Sequence, residues 1–445
     1  MGKLFGTDGI RGIANTKLTG EFAYLIGKYG AHILSNNSTN NRKIIVGMDT
    51  RISSSMLEHS ICAGISSYGI DVIKVSYVPT PAIGYLIRKY NLIGGVMISA
   101  SHNPYEYNGI KFFDHNGVKL SDELENKIED LYFKGLEGEI LENIGIGKIE
   151  SSKEMIEDYE KFLLSFLEGD LKGFKIAIDC ANGASYLISQ DVFNKTGGEI
   201  LIINNSPNGT NINNNCGSTH MEEICKFVVE NNCDFGFAYD GDADRCLAVD
   251  NEGNIVNGDT IMGILSIYFK KKGMLKGNKI VATVMSNIGL YKSLEEHNIG
   301  ISKVSVGDKY VFEEMDKNKF ILGGEQSGHI ILLDNKTGDG ILTSLFLSKV
   351  IRDENKSLKE LSSQIKEFPQ ILINVVCNGN KEIYKTDEEV VSLIKKYEDK
   401  LSENGRILVR ESGTEDLIRI MIEGQDYNEI KSMGEDISNL IKSKL

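Results

Sequence analysis

The chain has 445 residues, 41% of them hydrophobic and 25% charged, and a formal net charge of −14. This is the composition of a soluble globular protein long enough for roughly three domains, with room for clefts between them. The acid excess argues against a nucleic-acid binder, which needs a basic face, so an anionic ligand would have to be met by a local cluster of Arg and Lys.

The opening stretch MGKLFGTDGIRG lacks the apolar core of a signal peptide, and no run approaches membrane-spanning length. Seven cysteines are scattered without a CxxC pair, which speaks against a disulfide framework or a zinc site. A reducing cytoplasm is the expected location.

A first helix is predicted after Thr19, a good N-cap, because Phe22, Ile26, Tyr29 and Ile33 recur on one helical face. KIIVGMD (43–49), DVIKVS (71–76) and GVMISA (95–100) read as strands, with helices near 53–68 and 81–90 between them. The same grammar returns with strands at 175–180, 199–205 and 235–240, and a helix near 220–232. It returns again with strands at 279–285, 303–306 and 321–324. Repeated βαβ blocks imply parallel or mixed sheets.

After Phe368-Pro369 the pattern changes. Strands are predicted at 371–377, 406–411 and 417–423, and helices near 388–400 and 427–444. The last two strands lie too close for a crossover helix and should form an antiparallel hairpin. The expected class is therefore α/β: three successive mixed α/β domains (1–153, 154–254, 255–368) and a smaller C-terminal α+β domain (369–445).

Ligands of open α/β sheets gather at the carboxyl ends of strands, and each block ends in unusual residues. The first ends in SASHNP, with Ser101 and His102, and Lys111 follows a few positions on. The second ends in DGDADR, with Asp240, Asp242 and Asp244 at alternate positions before Arg245. Carboxylates so close repel one another unless a hard cation sits among them, and oxygen ligands suit Mg²⁺ or Ca²⁺. An EF-hand is the rival, but its sixth position is Arg245 and its twelfth Asn251, where Gly and Glu are needed. A solvated acidic turn is the plain alternative.

For Ser101, the adjacent His102 makes a poor base, because neighbours in an extended chain point to opposite sides. There is no GxSxG elbow either, so a turn or helix-capping role stays open for Ser101 on this ground alone. GEQSGH offers Glu325, Ser327 and His329 as grips for sugar hydroxyls, or as a plain strand cap. RESGTE offers Arg410, Ser412, Gly413 and Thr414, a set that suits a phosphate, though short turns of this kind are common. Arg11 lies in the Gly-rich FGTDGIRG loop. Together, a hydroxyl nucleophile, a divalent-metal triad, several cations and a phosphate-type loop describe phosphoryl transfer.

SASHNP, DGDADR, GEQSGH and Arg-x-Ser-Gly-Thr occur in this order at domain-scale spacing, and in this the chain resembles the α-D-phosphohexomutase superfamily over essentially its whole length. KLFGTDGIRG, VGMDTRIS, DCANGA, NINNNCGSTH, TVMSNIGL, VGDKYV, TGDGILT and Gln326 resemble its bacterial amino-sugar branch.

The resemblance implies four domains around a central cleft. It also implies interconversion of glucosamine 6-phosphate and glucosamine 1-phosphate through glucosamine 1,6-bisphosphate, feeding UDP-N-acetylglucosamine and cell-wall precursors. Ser101 would carry the phosphoryl group and, with Asp240, Asp242 and Asp244, bind one Mg²⁺ per subunit. Arg11, Lys111 and His102 would serve catalysis. Arg245, Lys309, Glu325, Ser327, His329, Arg410, Ser412, Gly413, Thr414 and Arg419 would bind the substrate.

The last loop departs from the family pattern at Glu411 and Asp416, where the family usually carries Pro. The expected partner is a small sugar phosphate, with no nucleic acid and no membrane, and a homodimer is allowed for. The nearest alternative is a phosphomannomutase/phosphoglucomutase with the same chemistry. A sugar-phosphate-binding protein without turnover and a phosphatase are the alternatives of other classes.

Overall fold

The structure, a computed structural model, describes residues 4–6, 8–38, 41–135, 145–377, 381–411 and 416–445. The chain divides into two compact units, Met1–Val284 with Ile301–Ser363, and Met285–Gly300 with Gln364–Leu445.

The first unit holds three mixed sheets. In the first, the spatial order is Ile10–Ile13, Tyr107–Phe113, Leu92–Ile98, Asn41–Met48, Asp71–Tyr77 and Ile149–Ser151. Leu92–Ile98 runs parallel to Asn41–Met48 and antiparallel to Tyr107–Phe113. It is buried at every residue, which is why it reads as a continuous apolar run. Thr19 caps the helix Gly20–Asn36 by accepting from the Phe22 N–H, and Phe22, Ile26, Tyr29 and Ile33 all face the core, as the periodicity predicts. That helix packs closely on Ser54–Ser67. A Cβ at Gly64 would lie 2.0 Å from the Tyr24 carbonyl, so only glycine fits.

In the second sheet Phe235–Tyr239 lies parallel to Lys175–Asp179 and antiparallel to Cys246–Asp250. In the third, Leu322–Gly324 lies parallel to Lys279–Thr283 and antiparallel to Ile330–Leu332. Tyr107–Phe113, Cys246–Asp250 and Ile330–Leu332 stand outside the strands expected from the sequence. Each is an antiparallel return, and the sequence expectation stopped at the polar loop before it. The three loops, 99–106, 240–245 and 325–329, are thus built alike: each joins a parallel-paired strand to its antiparallel neighbour.

In the second unit Leu417–Glu423 lies between Gln370–Val376 and Arg406–Glu411, antiparallel to both, and the expected hairpin is present. Ile418, Ile420 and Ile422 alternate into a core shared with Ile430, Met433, Ile437 and Ile441 of the helix Tyr427–Lys444. Glu423 is fully buried and accepts from Arg406 Nε at 2.6 Å and the Ile288 N–H at 3.0 Å, while Arg406 also donates to the Ser286 carbonyl. These bonds tie the segment Met285–Gly300 to the C-terminal sheet.

Candidate active site

Ser101 leaves its strand with φ of 52°, the left-handed region that a side chain with a Cβ rarely enters. The residue is 2% exposed, and its hydroxyl donates to Asp240 Oδ2 at 2.6 Å. Because Ser101 sits in a turn, the alternation expected of an extended chain does not apply. His102 lies beside it, with Nδ1 3.4 Å from Ser101 Oγ.

Asp240, Asp242 and Asp244 are all buried, and one oxygen from each lies within 4.8 Å of the others. Burial and the neighbouring Asp244 and Asp242 push the Asp240 carboxyl well above its ordinary range. Burial and Asp242 likewise raise Asp244. For Asp242 burial also opposes ionisation, but the Lys111 ammonium and the Thr80 hydroxyl outweigh it and hold the carboxyl low. Lys111 Nζ lies 2.9 Å from Asp242 Oδ2, and Thr80 Oγ1 donates to the same oxygen at 2.5 Å. Asp242 Oδ1 and Asp244 Oδ1 are buried with no hydrogen-bond partner. Mutually repelling carboxylates whose oxygen lone pairs meet no donor fit a hard divalent cation.

Cations ring this triad. Lys111 also pairs with Asp8 at 2.9 Å, and Asp8 makes further close ion pairs with Arg11 and Lys119. Burial opposes the Asp8 charge, yet Lys111, Lys119 and Arg11 together hold its carboxyl well below the usual range. Lys119 continues to Asp308, whose carboxylate lies 3.9 Å from His329 Nε2, the same nitrogen that is 3.9 Å from Asp244. His329 Nε2 accepts from the Gly338 N–H at 3.1 Å, which places the ring proton on Nδ1. Burial, then Arg245 and Arg11, press the His102 imidazole down to about 4, so it is neutral near pH 7.

Arg245 donates its N–H to Asp240 Oδ1 at 3.2 Å, and its backbone bridges that of His329. Glu325 Oε1 accepts from the Gly307 N–H at 3.0 Å. Ser327 Oγ, Arg245 Nε, Arg11 Nε and His329 Nδ1 are buried without hydrogen-bond partners, polar capacity that a ligand would satisfy. Lys309 instead pairs with Asp122 at 2.8 Å.

In the second unit, Arg410 and Arg419 stand directly opposite each other in the strand pair. Like charges in register repel, and burial together with Arg419 pulls Arg410 below its ordinary value. An anion between them would relieve both costs. Ser412, Gly413 and Thr414 lie outside the described residues. The two unusual acids nearby are each met by a lysine: Glu411 by Lys385 at 3.3 Å and Asp416 by Lys381 at 2.8 Å.

The structure thus brings Ser101, the Asp triad, Lys111, Arg11, Arg245, His102 and His329 into one continuous set of contacts. Sequence reasoning missed Asp8, Thr80, Lys119 and Asp308. Asp8 and Asp308 lie inside GTDGIRG and VGDKYV, and an Asp beside Gly reads as a turn residue.

The chain matches the models of phosphoglucomutase/phosphomannomutase alpha/beta/alpha domain I at residues 2–139, domain II at 156–253, domain III at 257–368 and the C-terminal domain at 372–440. It is 53% identical over 449 residues to a phosphoglucosamine mutase of Clostridium tetani, covering 100% of each chain. With that of Clostridium novyi the identity is 51%, covering 100% of this chain and 99% of the other.

Among solved structures it is similar in fold to a phosphoglucomutase/phosphomannomutase family protein from Burkholderia thailandensis, with a TM-score of 0.82 and 19% identity over 99% of this chain and 97% of that one. It is also similar to Aspergillus fumigatus N-acetylphosphoglucosamine mutase, solved in complex with GlcNAc-6P and magnesium, with a TM-score of 0.70 and 17% identity over 99% and 95%. Among the described residues no helix is long and apolar enough to cross a membrane. The chain belongs to the phosphoglucomutase/phosphomannomutase family, on its phosphoglucosamine mutase branch.

Proposed function

We propose that this mutase interconverts glucosamine 6-phosphate and glucosamine 1-phosphate, with Ser101 as the carrier of the transferred phosphoryl group. The observation that carries the reading is the Ser101 hydroxyl, 2.6 Å from Asp240 in a buried carboxylate triad with Lys111 against it. In the first half-reaction the Ser101 Oγ–P bond breaks as an O–P bond forms to the free sugar hydroxyl, whose proton ends on Ser101 Oγ. The product is the 1,6-bisphosphate. In the second half-reaction the sugar turns over, its other O–P bond breaks as Ser101 Oγ bonds to that phosphorus, and the Ser101 proton ends on the freed sugar oxygen. No water is consumed and no net proton is released.

Asp240, Asp242 and Asp244 would hold Mg²⁺, which when bound supplies charge neutralisation and polarises phosphoryl oxygen. Lys111 stays an ammonium, since Asp242 and Asp8 outweigh its burial, and it offers fixed positive charge where phosphate charge develops. Arg11 and Arg245 are the remaining counter-charges to a phosphoserine of about −1.5 to −2. Neutral His102 orients by hydrogen bonding. Glu325, Ser327 and His329 are assigned to sugar hydroxyls. Lys309 is assigned to the substrate as well, on exchange from Asp122. In the C-terminal unit Arg410, Arg419 and residues 412–414 are assigned to the phosphate that is not transferred.

The test is a panel of glucosamine, glucose and mannose phosphates with trace 1,6-bisphosphate. The amino sugar should lead in kcat/KM. Equal efficiency across the panel would move the assignment to the broader hexose mutases, and release of inorganic phosphate would make it a phosphatase.

A further inference from the structure

Three backbone carbonyls of the Ser101 loop converge on one side chain. Arg51 Nη2 donates to the Ser101 carbonyl at 2.8 Å, and Nη1 donates to those of Asn103 at 2.9 Å and Pro104 at 2.7 Å. Its Nε donates to Asp49 Oδ2 at 2.9 Å, and both side chains are wholly buried. Asp49 Oδ2 also accepts from the Ser99 hydroxyl at 2.6 Å, and Ser99 Oγ accepts the Ser101 N–H at 2.9 Å. The peptide groups on both sides of Ser101 are therefore closed into one ring: N–H to Ser99, Ser99 to Asp49, Asp49 to Arg51, and Arg51 back to the carbonyl.

A second clamp comes from the next sheet's domain. Asn213 Nδ2 donates to the Ser101 carbonyl at 2.9 Å and the Asn103 carbonyl at 3.2 Å. Two carbonyl acceptors fix which end of that amide is the nitrogen. Gly241, in the triad's own turn, packs so near that a Cβ there would lie 2.5 Å from the Ser101 carbonyl oxygen.

A non-glycine residue in the left-handed region is strained and persists only where its surroundings over-determine it. Here they do, at the residue whose hydroxyl meets the triad. We infer that Arg51 and Asn213 are positioning residues that hold the Ser101 backbone in this conformation, so that Oγ keeps one direction whether it carries a hydroxyl or a phosphoryl group. The inference rests on Ser101 being the phosphoryl carrier. It gives a role to the VGMDTRIS and NINNNCGSTH stretches, neither of which contributes an assigned catalytic or ligand-binding group. Neither residue touches the reacting atoms, and each acts through the Ser101 peptide.

The test compares Asn213→Ala and Arg51→Lys with the parent and with Ser101→Ala. It measures kcat and KM for glucosamine 1-phosphate, the rate at which 1,6-bisphosphate phosphorylates Ser101 by intact mass, and thermal stability. Misplacement of a reacting group by about 1 Å can cost on the order of 100-fold. Asn213→Ala should lower kcat and the phosphorylation rate by about 10-fold or more, with KM within about twofold. Arg51→Lys keeps the charge but cannot span three carbonyls, and should lose more.

Parental phosphorylation rates in whichever of these variants fold overturn the clamp. A lower phosphorylated fraction at an unchanged rate overturns it too, since that is the mark of misfolding alone. Should Arg51→Lys fail to fold, Asn213→Ala decides. Turnover in Ser101→Ala overturns the carrier reading instead. Inactive Ser101→Ala beside fully active clamp variants overturns only the clamp.

Discussion

Ser101 and Asp240 are 139 positions apart in the chain, yet the hydroxyl of one donates to the carboxylate of the other at 2.6 Å. A phosphoryl group on Ser101 would therefore sit beside the carboxylate triad. Purified protein should be partly phosphorylated at Ser101, detectable by intact mass. Ser101→Ala should abolish turnover without changing the melting temperature appreciably. Near-parental activity in that variant would remove the phosphoserine mechanism.

Asp242 has one oxygen held by Lys111 and Thr80 and the other unpaired. The unpaired oxygen is the one free for a cation. Asp242→Asn should weaken Mg²⁺ activation at least about 10-fold, with partial recovery at high Mg²⁺, because a hard cation loses a charged ligand. Full activity of the parent after chelation with EDTA would contradict a metal role.

His102 is held at about 4, against an ordinary value of 6.5, by burial and then by Arg245 and Arg11. The folded state thus binds fewer protons than the unfolded one between pH 6.5 and 4. Its contribution to stability is complete above pH 6.5 and lost as pH falls through that window. A His102→Gln variant should lose less stability than the parent over the same range, by up to about 3 kcal/mol. Denaturant melts at pH 7 and pH 4.5 check this, and parallel losses in the two proteins would refute it.

Glu411 reaches Lys385, not Arg410, so its charge is compensated away from the paired guanidiniums. Replacing it by Pro should change KM by less than about threefold, since exposed ion pairs contribute little. Arg410→Ala should raise KM far more, in both reaction directions, by removing a charge-assisted grip on phosphate. A tenfold better KM in Glu411→Pro would show that the carboxylate opposes the anion after all.

Much of this was legible in the chain itself. Apolar runs such as Leu92–Ile98, the Thr19 cap and the alternation of Ile418, Ile420 and Ile422 are local patterns, and burial follows directly from them. The Asp triad was legible because its carboxylates lie within one turn, where spacing alone places them together.

The antiparallel returns Tyr107–Phe113, Cys246–Asp250 and Ile330–Leu332 were not legible, because a polar loop marks where a strand ends and is silent on which way the chain comes back. The partners of Ser101 were hidden for a related reason. Arg51, Asn213 and Asp240 meet it only through the packing of separate sheets, and a buried guanidinium that satisfies backbone carbonyls leaves no periodic signal. The residue types for the chemistry were written locally. Their convergence, and the left-handed turn that aims the hydroxyl, came from long-range hydrogen bonds that only the folded chain can close.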